Sequence, residues 1–229
     1  MIKSLTRPLM ITLIFGLASC SADQEANTDA KPVTDEKAAV PADEEGFEPM
    51  FNGKDLSGWQ TTGNWKVKEG NIVTLEPRPG EHGWQRYADY LTTAGKYGNF
   101  ELKLDFKFEP KGNSGVFMRV GNLEDHVNSG FEVQILDTHG KEKFGPHDCG
   151  GVIRTAAPSE MVVKPAGEWN RYHITLVDSQ LKVVLNDVQI IDIDISKTDL
   201  KDRPMEGHIS FQDEGKPIWY RNVRIKQLP

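Results

Sequence analysis

The chain has 229 residues and a formal net charge of −7, from 27 Lys and Arg against 34 Asp and Glu. No basic surplus or run of Lys and Arg suggests a nucleic-acid partner. Two cysteines are too few for a disulfide framework, and their surroundings do not resemble a zinc site, so stability has to come from packing.

The first residues carry Lys3 and Arg7, then an apolar run from Leu9 to Leu17, then Leu17-Ala18-Ser19-Cys20. A basic start, a short apolar stretch and small residues before a cut site describe an export signal over residues 1–19. The run is well short of the ~20 residues that span a bilayer. Leu-Ala-Ser-Cys resembles the bacterial lipobox, which implies lipidation of Cys20 and anchoring to a membrane. Ser21 after the cysteine resembles an outer-membrane address. The expected location is therefore exported and lipid-anchored, on the periplasmic or surface face. Residues 20–46 hold eight acids against Lys31 and Lys37 and no aromatic residue, a net of about −6. Such a segment buries too little apolar surface to offset its ordering entropy and reads as an extended acidic tether.

Residues 47–229 form one domain of ordinary size, able to bury a core. Period-2 alternation dominates it. In Phe100–Phe108 the residues Phe100, Leu102, Leu104, Phe106 and Phe108 share one face, with Glu101, Lys103, Asp105 and Lys107 on the other. Further strands are expected at Trp65–Val67, Asn71–Leu75, Ser114–Val120, Phe131–Asp137, Tyr172–Val177, Leu181–Leu185, Val188–Ile193, His208–Phe211 and Trp219–Lys226. Lys68-Glu-Gly-Asn71, Asp178-Ser-Gln180 and Asn186-Asp187 read as turns between them. The best helical candidate, Ser196–Lys201, is a single turn. Many short strands without helices predict an all-β antiparallel sandwich or barrel.

Several segments resemble the 3-keto-disaccharide hydrolase-like domain family. They include Phe51-Asn-Gly-Lys-Asp-Leu-Ser-Gly-Trp59, Gly112-Asn-Ser-Gly-Val-Phe-Met-Arg119, Gly130-Phe-Glu-Val-Gln-Ile-Leu-Asp137, Lys164-Pro-Ala-Gly-Glu-Trp-Asn170 and Tyr220-Arg-Asn-Val-Arg-Ile225. The resemblance runs over nearly all of the domain. It implies a concanavalin A-like, lectin/glucanase-type jelly roll of two antiparallel sheets, with a sugar site on the concave sheet. One departure stands out. The late motif of the family often reads Gln-Asp-His-Gly, and here Glu214 takes the place of that His in Gln212-Asp-Glu-Gly215.

Alternation marks candidate site residues independently of the resemblance. Phe131, Val133 and Ile135 share one face, which leaves Glu132 and Gln134 on the other. Val116, Met118 and Val120 leave Phe117 and Arg119 opposite. Ile209 and Phe211 leave His208, Ser210 and Gln212. Arg119, Glu132, Gln134 and Gln212 are expected to converge beside an aromatic ring, the usual way to hold sugar hydroxyls and an apolar sugar face. The loop Asp137–Gly151 carries His139 and His147, suited to proton transfer, with Asp137, Asp148 and Cys149. Asp137-x-His139 and His147-Asp148 are also possible ligands for a divalent metal ion, at a spacing that is not diagnostic. Cys149 is expected to be buried and inert. His82, His126 and His173 read as structural. Trp65, Trp169 and Trp219 are expected in the core, and Trp84 on a loop as a sugar platform.

The family name implies a glycoside already oxidised to a ketone at C3. The ketone acidifies the C2 hydrogen, so a base forms an enolate, the enolate expels the C1 oxygen, and water then adds. Glu132 or His139 is the candidate base. Arg119 and Gln134 would position oxygens, and His147 would assist the leaving group. Asp137, Gln212, Phe117 and Trp84 complete the substrate contacts. No nicotinamide-binding glycine fingerprint is present, so the oxidation falls to a separate upstream oxidoreductase. The competing classes are a non-catalytic carbohydrate-binding module and an adhesion or scaffold domain.

Overall fold

The computed structural model describes residues 45–229, and the readings of an export signal, of Cys20 and of nearly all the tether lie outside them. Thirteen strands make up the described residues: β1 Glu48–Pro49, β2 Trp59–Gln60, β3 Trp65–Lys68, β4 Ile72–Leu75, β5 Leu91–Thr93, β6 Phe100–Phe108, β7 Asn113–Val120, β8 Phe131–Leu136, β9 Asn170–Val177, β10 Gln180–Leu185, β11 Val188–Asp194, β12 His208–Phe211 and β13 Ile218–Gln227. One short helix, α1, spans His126–Ser129, and the expected helical turn at Ser196–Lys201 is a 3-10 turn at Ile195–Lys197.

All pairings between these strands are antiparallel. Eight strands form one sheet in the order β11-β10-β9-β6-β13-β4-β3, with β1 also on β13, and five form the other in the order β2-β5-β12-β7-β8. The fold is the two-sheet jelly-roll sandwich that the alternation and the resemblance predict. The core lies between the sheets. Phe100, Leu102, Leu104, Phe106 and Phe108 of β6 meet Val116 and Met118 of β7, Phe131, Val133 and Ile135 of β8, and Ile209 and Phe211 of β12. Each strand buries alternate side chains on this face because its pleat repeats every two residues.

Turn chemistry sets the hairpins. Asn186 and Asp187 both adopt positive φ, 49° and 69°, and join β10 to β11 in the two-residue connection that such φ values suit. The strands that alternation did not predict, β1, β2 and β5, have only two or three residues, too few to show a period. Trp65 is in the core, 4% exposed. Trp169 and Trp219 are not. They lie half-buried against Lys107, whose Nζ stands 5.0 Å and 5.2 Å from the two ring centroids. Trp219 alternates with the buried Ile218 and Tyr220, so it faces away from the core.

Strand β7 carries a bulge. His208 pairs with Val120 while Ser210 pairs with Phe117, so three steps on β7 match two on β12. The extra residue includes Arg119, held at φ +50°. A bulge of this kind re-aims side chains beyond it.

Candidate functional site

Two adjoining cavities open beside the outer face of the five-stranded sheet, of about 260 Å³ and 60 Å³. Both are lined by Glu132, Val127, Ile153 and Arg154. The larger adds Trp84, Asn113, Gln134, His147, Gln212 and Glu214. The smaller adds Phe117. Four of the polar or aromatic residues read from strand alternation, Glu132, Gln134, Gln212 and Phe117, thus reach the site from β7, β8 and the end of β12, Trp84 and His147 join them from loops, and Asn113 extends the set.

Glu132 is the most constrained member. It is 7% exposed, and its Oε1 has no hydrogen-bond partner within the protein. Burial, followed by the nearby Glu214 carboxylate, raises its carboxyl to about 8. Room for this side chain comes from Gly115 on β7, where an added Cβ would collide with the Glu132 carboxyl. Asn113 Oδ1 and Gln212 Oε1 are likewise buried acceptors without a partner in the protein. Three such oxygens around one cavity are left to accept from water or from the hydroxyls of a ligand, because an unsatisfied buried acceptor costs about 1–3 kcal/mol. Burial also raises Glu214, with Arg86 pulling the other way. The turn that presents Glu214 is fixed on both sides. Asp213 is fully buried on Arg86, and Gly215, at φ +70°, packs against the Glu81 backbone.

Phe117 is 1% exposed, lines the smaller cavity and packs behind it against Tyr90 and His126, at ring-centroid distances of 5.7 Å and 5.8 Å. Trp84 is 39% exposed at the cavity rim, and His147 is exposed on its wall.

Arg119 does not converge with these groups. The bulge turns its side chain away, and it is fully buried. There it donates to the Gly98 carbonyl at 3.0 Å and the Asp178 carbonyl at 2.7 Å. These acceptors lie at the ends of β6 and β9, so Arg119 ties the two sheets together. Val120, expected in the core, instead joins Phe117 and Tyr90 on the other side of the sheet. His139 and Asp137 also lie outside both cavities. His139 Nδ1 donates to the Val163 carbonyl at 2.9 Å, and Asp137 Oδ2 accepts from the Lys111 amide at 2.8 Å. Both are loop-fixing contacts. Asp148 is held by Lys141 and the Gly145 amide. Among the described residues no group of three or more His, Cys, Asp or Glu side chains is arranged to hold a metal ion.

Arg154 was missed from the sequence. It sits at φ +64° at the tip of a tight turn closed by the Val152 and Ala156 backbones, and it brings a cation to both cavities. No strand period passes through that turn to mark it. Asn113 had a weaker signal, inside the Gly112-Asn-Ser-Gly115 segment. Glu214 was marked only by its departure from the family's motif.

Residues 46–226 match the 3-keto-alpha-glucoside-1,2-lyase-like domain. The chain belongs to this family. A 3-keto-disaccharide hydrolase of Bacteroides thetaiotaomicron is 27% identical over 292 aligned positions that cover 99% of each chain. The crystal structure of a candidate glycosyl hydrolase from Parabacteroides distasonis superposes with a TM-score of 0.67 at 26% identity, covering 81% of this chain and 95% of that one. The carbohydrate binding module CBM66 of Bacillus subtilis shares the fold, with a TM-score of 0.55 at 15% identity over 74% of this chain and 96% of its own. Members of this 1,2-lyase-like family thus share a scaffold with a sugar-binding module, and the chemistry of the site has to separate the two uses.

Proposed function

We propose that this protein cleaves glycosides and disaccharides of 3-keto sugars by 1,2-elimination followed by hydration. The observation that carries the reading is Glu132: a buried carboxyl, unpaired on one oxygen, in a cavity ringed by hydroxyl-binding groups. The family's description as a 1,2-lyase and the relative's name agree with it.

Glu132 removes the C2 proton, and the C2–H electron pair forms the enolate with the C3 oxygen. Arg154 takes the role that the sequence assigned to Arg119 and stabilises that oxygen. Collapse of the enolate breaks the C1–O bond and leaves an enone. The departing oxygen takes a proton from the wall that holds His147 and Glu214. Water then adds its hydroxyl at C1 and gives its proton to the wall group that protonated the leaving oxygen, Glu132 returns its proton to C2, and the net result is hydrolysis. Gln134, Gln212 and Asn113 hold sugar hydroxyls, and Trp84 covers an apolar sugar face. The ketone is supplied by a separate 3-dehydrogenating oxidoreductase.

The test is incubation of the full-length protein with a 3-keto-glucoside and with the unoxidised glucoside, each with and without EDTA, followed by mass spectrometry. Release from the 3-keto substrate alone is the expected result, and loss of release in EDTA would assign a metal to the enolate. The exposed Trp84 beside a polar cavity also suits a non-catalytic glycan-binding module. Glycan binding with no release from several 3-keto glycosides would favour that reading.

The reading also includes an exported protein anchored through Cys20, with the outer membrane as its site. Replacing Cys20 by Ser is expected to move the protein from the membrane fraction to the soluble fraction. A protein that stays in the membrane fraction after this change would overturn the anchor.

A further inference from the structure

A larger cavity, of about 360 Å³, lies on the same outer face of the five-stranded sheet. Gln60, Thr62, Tyr87, Leu123, Glu124 and His126 are among its lining residues. Two short segments wall both this cavity and the one that holds Glu132. In the first, Trp84 lines the Glu132 cavity, while Tyr87 and Tyr90 line the larger one. In the second, α1, Val127 lines the Glu132 cavity and the adjacent His126 lines the larger one. The ridge between them is a continuous run of rings. Trp84 and Tyr87 stand 6.0 Å apart, and Tyr87 stacks on His126 at 5.1 Å and 15°.

His126 plays no part in the elimination. It is 1% exposed, and its Nε2 contacts Ser210 Oγ at 3.2 Å. Its Nδ1 is buried and has no hydrogen-bond partner within the protein. Burial holds the ring well below the usual histidine range, at about 4, so it is neutral near pH 7. The larger cavity therefore has a rigid aromatic plate, Tyr87 backed by a neutral imidazole. Around it stand the Gln60 amide, the Glu124 carboxylate and the Thr62 hydroxyl, which donates to Asp89 and keeps its oxygen as an acceptor. A ring to cover an apolar face and short polar groups to bind hydroxyls are what a pyranose requires. Glu124 places a negative charge at the rim, which selects against anionic sugars.

We infer that this second cavity is the subsite for the sugar beyond the scissile bond, and that this second sugar is uncharged and lies across the Tyr87–His126 ridge. The inference rests on the proposed cleavage for which side of the bond each sugar occupies, but the second sugar site itself does not.

Two measurements test it on the full-length protein. The first compares kcat/KM for 3-keto-disaccharides and for methyl 3-keto-glucoside. Tyr87→Ala is expected to lower the preference for the disaccharide by about tenfold. Gln60→Ala, at an exposed rim position, is expected to lower it in the same direction without disturbing the ring stack. The second measures binding of unoxidised glucose disaccharides and methyl glucosides by tryptophan fluorescence. A wild-type preference for disaccharides that Tyr87→Ala removes supports the subsite. Equal binding of both ligand classes by the wild type, or a preference that survives both substitutions, overturns it. A protein that cleaves no 3-keto glycoside yet keeps a Tyr87-dependent disaccharide preference would remove the proposed reaction and leave the second sugar site standing.

Discussion

Burial and the neighbouring Glu214 raise the Glu132 carboxyl to about 8, and this single shift has two measurable consequences. The base form appears as pH rises, so kcat/KM is expected to climb up to about pH 8 and then level off. The folded protein also keeps the proton between the ordinary value of 4.5 and about 8, whereas the unfolded chain has lost it. Stability therefore falls as pH rises through that window and is flat above it. Glu132→Gln removes the cost of a buried charge. It is expected to lose about 10²–10⁴-fold in activity yet to melt higher than wild type at pH 9, by on the order of 3 kcal/mol, with little change at pH 5. Calorimetry at the two pH values checks the sign. The two arginines divide in the opposite way. Arg119→Met strands the Gly98 and Asp178 carbonyls in the interior and is expected to destabilise the fold by about 3 kcal/mol in urea titrations. Arg154→Ala, at an exposed turn, is expected to leave the urea midpoint close to wild type and to lower kcat about 10²-fold.

Strands β7 and β8 show how a sheet makes an active site out of alternation and one missing side chain. Glu132 and Gln134 were legible because Phe131, Val133 and Ile135 claim the core face of β8 without interruption. Gly115 was legible only as part of a motif. Its purpose depends on a neighbouring strand: it pairs with Gln134, and it leaves the space that the Glu132 carboxyl fills. Gly115→Ala is expected to keep the β-sheet circular dichroism spectrum and to lose activity by about 10²-fold, since a displacement of about 1 Å at a reacting group costs that much. Full activity in Gly115→Ala would mean that the Glu132 position is not critical. The period-2 reading failed at the bulge. One extra residue on β7 sends Arg119 and Val120 to faces opposite to those alternation assigns. Nothing in Val116–Val120 marks the bulge, because it is set by the register against β12.

Across the whole molecule, stability rests on the layer between the two sheets. Cys149 lies in that layer, fully buried, with its Sγ 3.5 Å from the Tyr172 hydroxyl and its thiol pushed up to about 11 by burial. Iodoacetamide is therefore expected to leave Cys149 untouched in the native protein and to modify it only at the rate of unfolding. Rapid native labelling, read by mass spectrometry, would contradict this packing. The sequence by itself determined the all-β class, the buried faces of β6, β8 and β12 and the tight turn at Asn186-Asp187, because these depend on periodicity and local backbone preference, and the resemblance of its motifs pointed to the family. Only the tertiary structure decided which polar residues share a cavity. It placed Arg154, Asn113 and Glu214 with Glu132, moved Arg119, His139 and Asp137 into structural contacts, and put Trp169 and Trp219 on the outer surface. The reason is physical: a cavity is made by segments far apart in the chain, and its membership follows strand order and register, which no local pattern encodes.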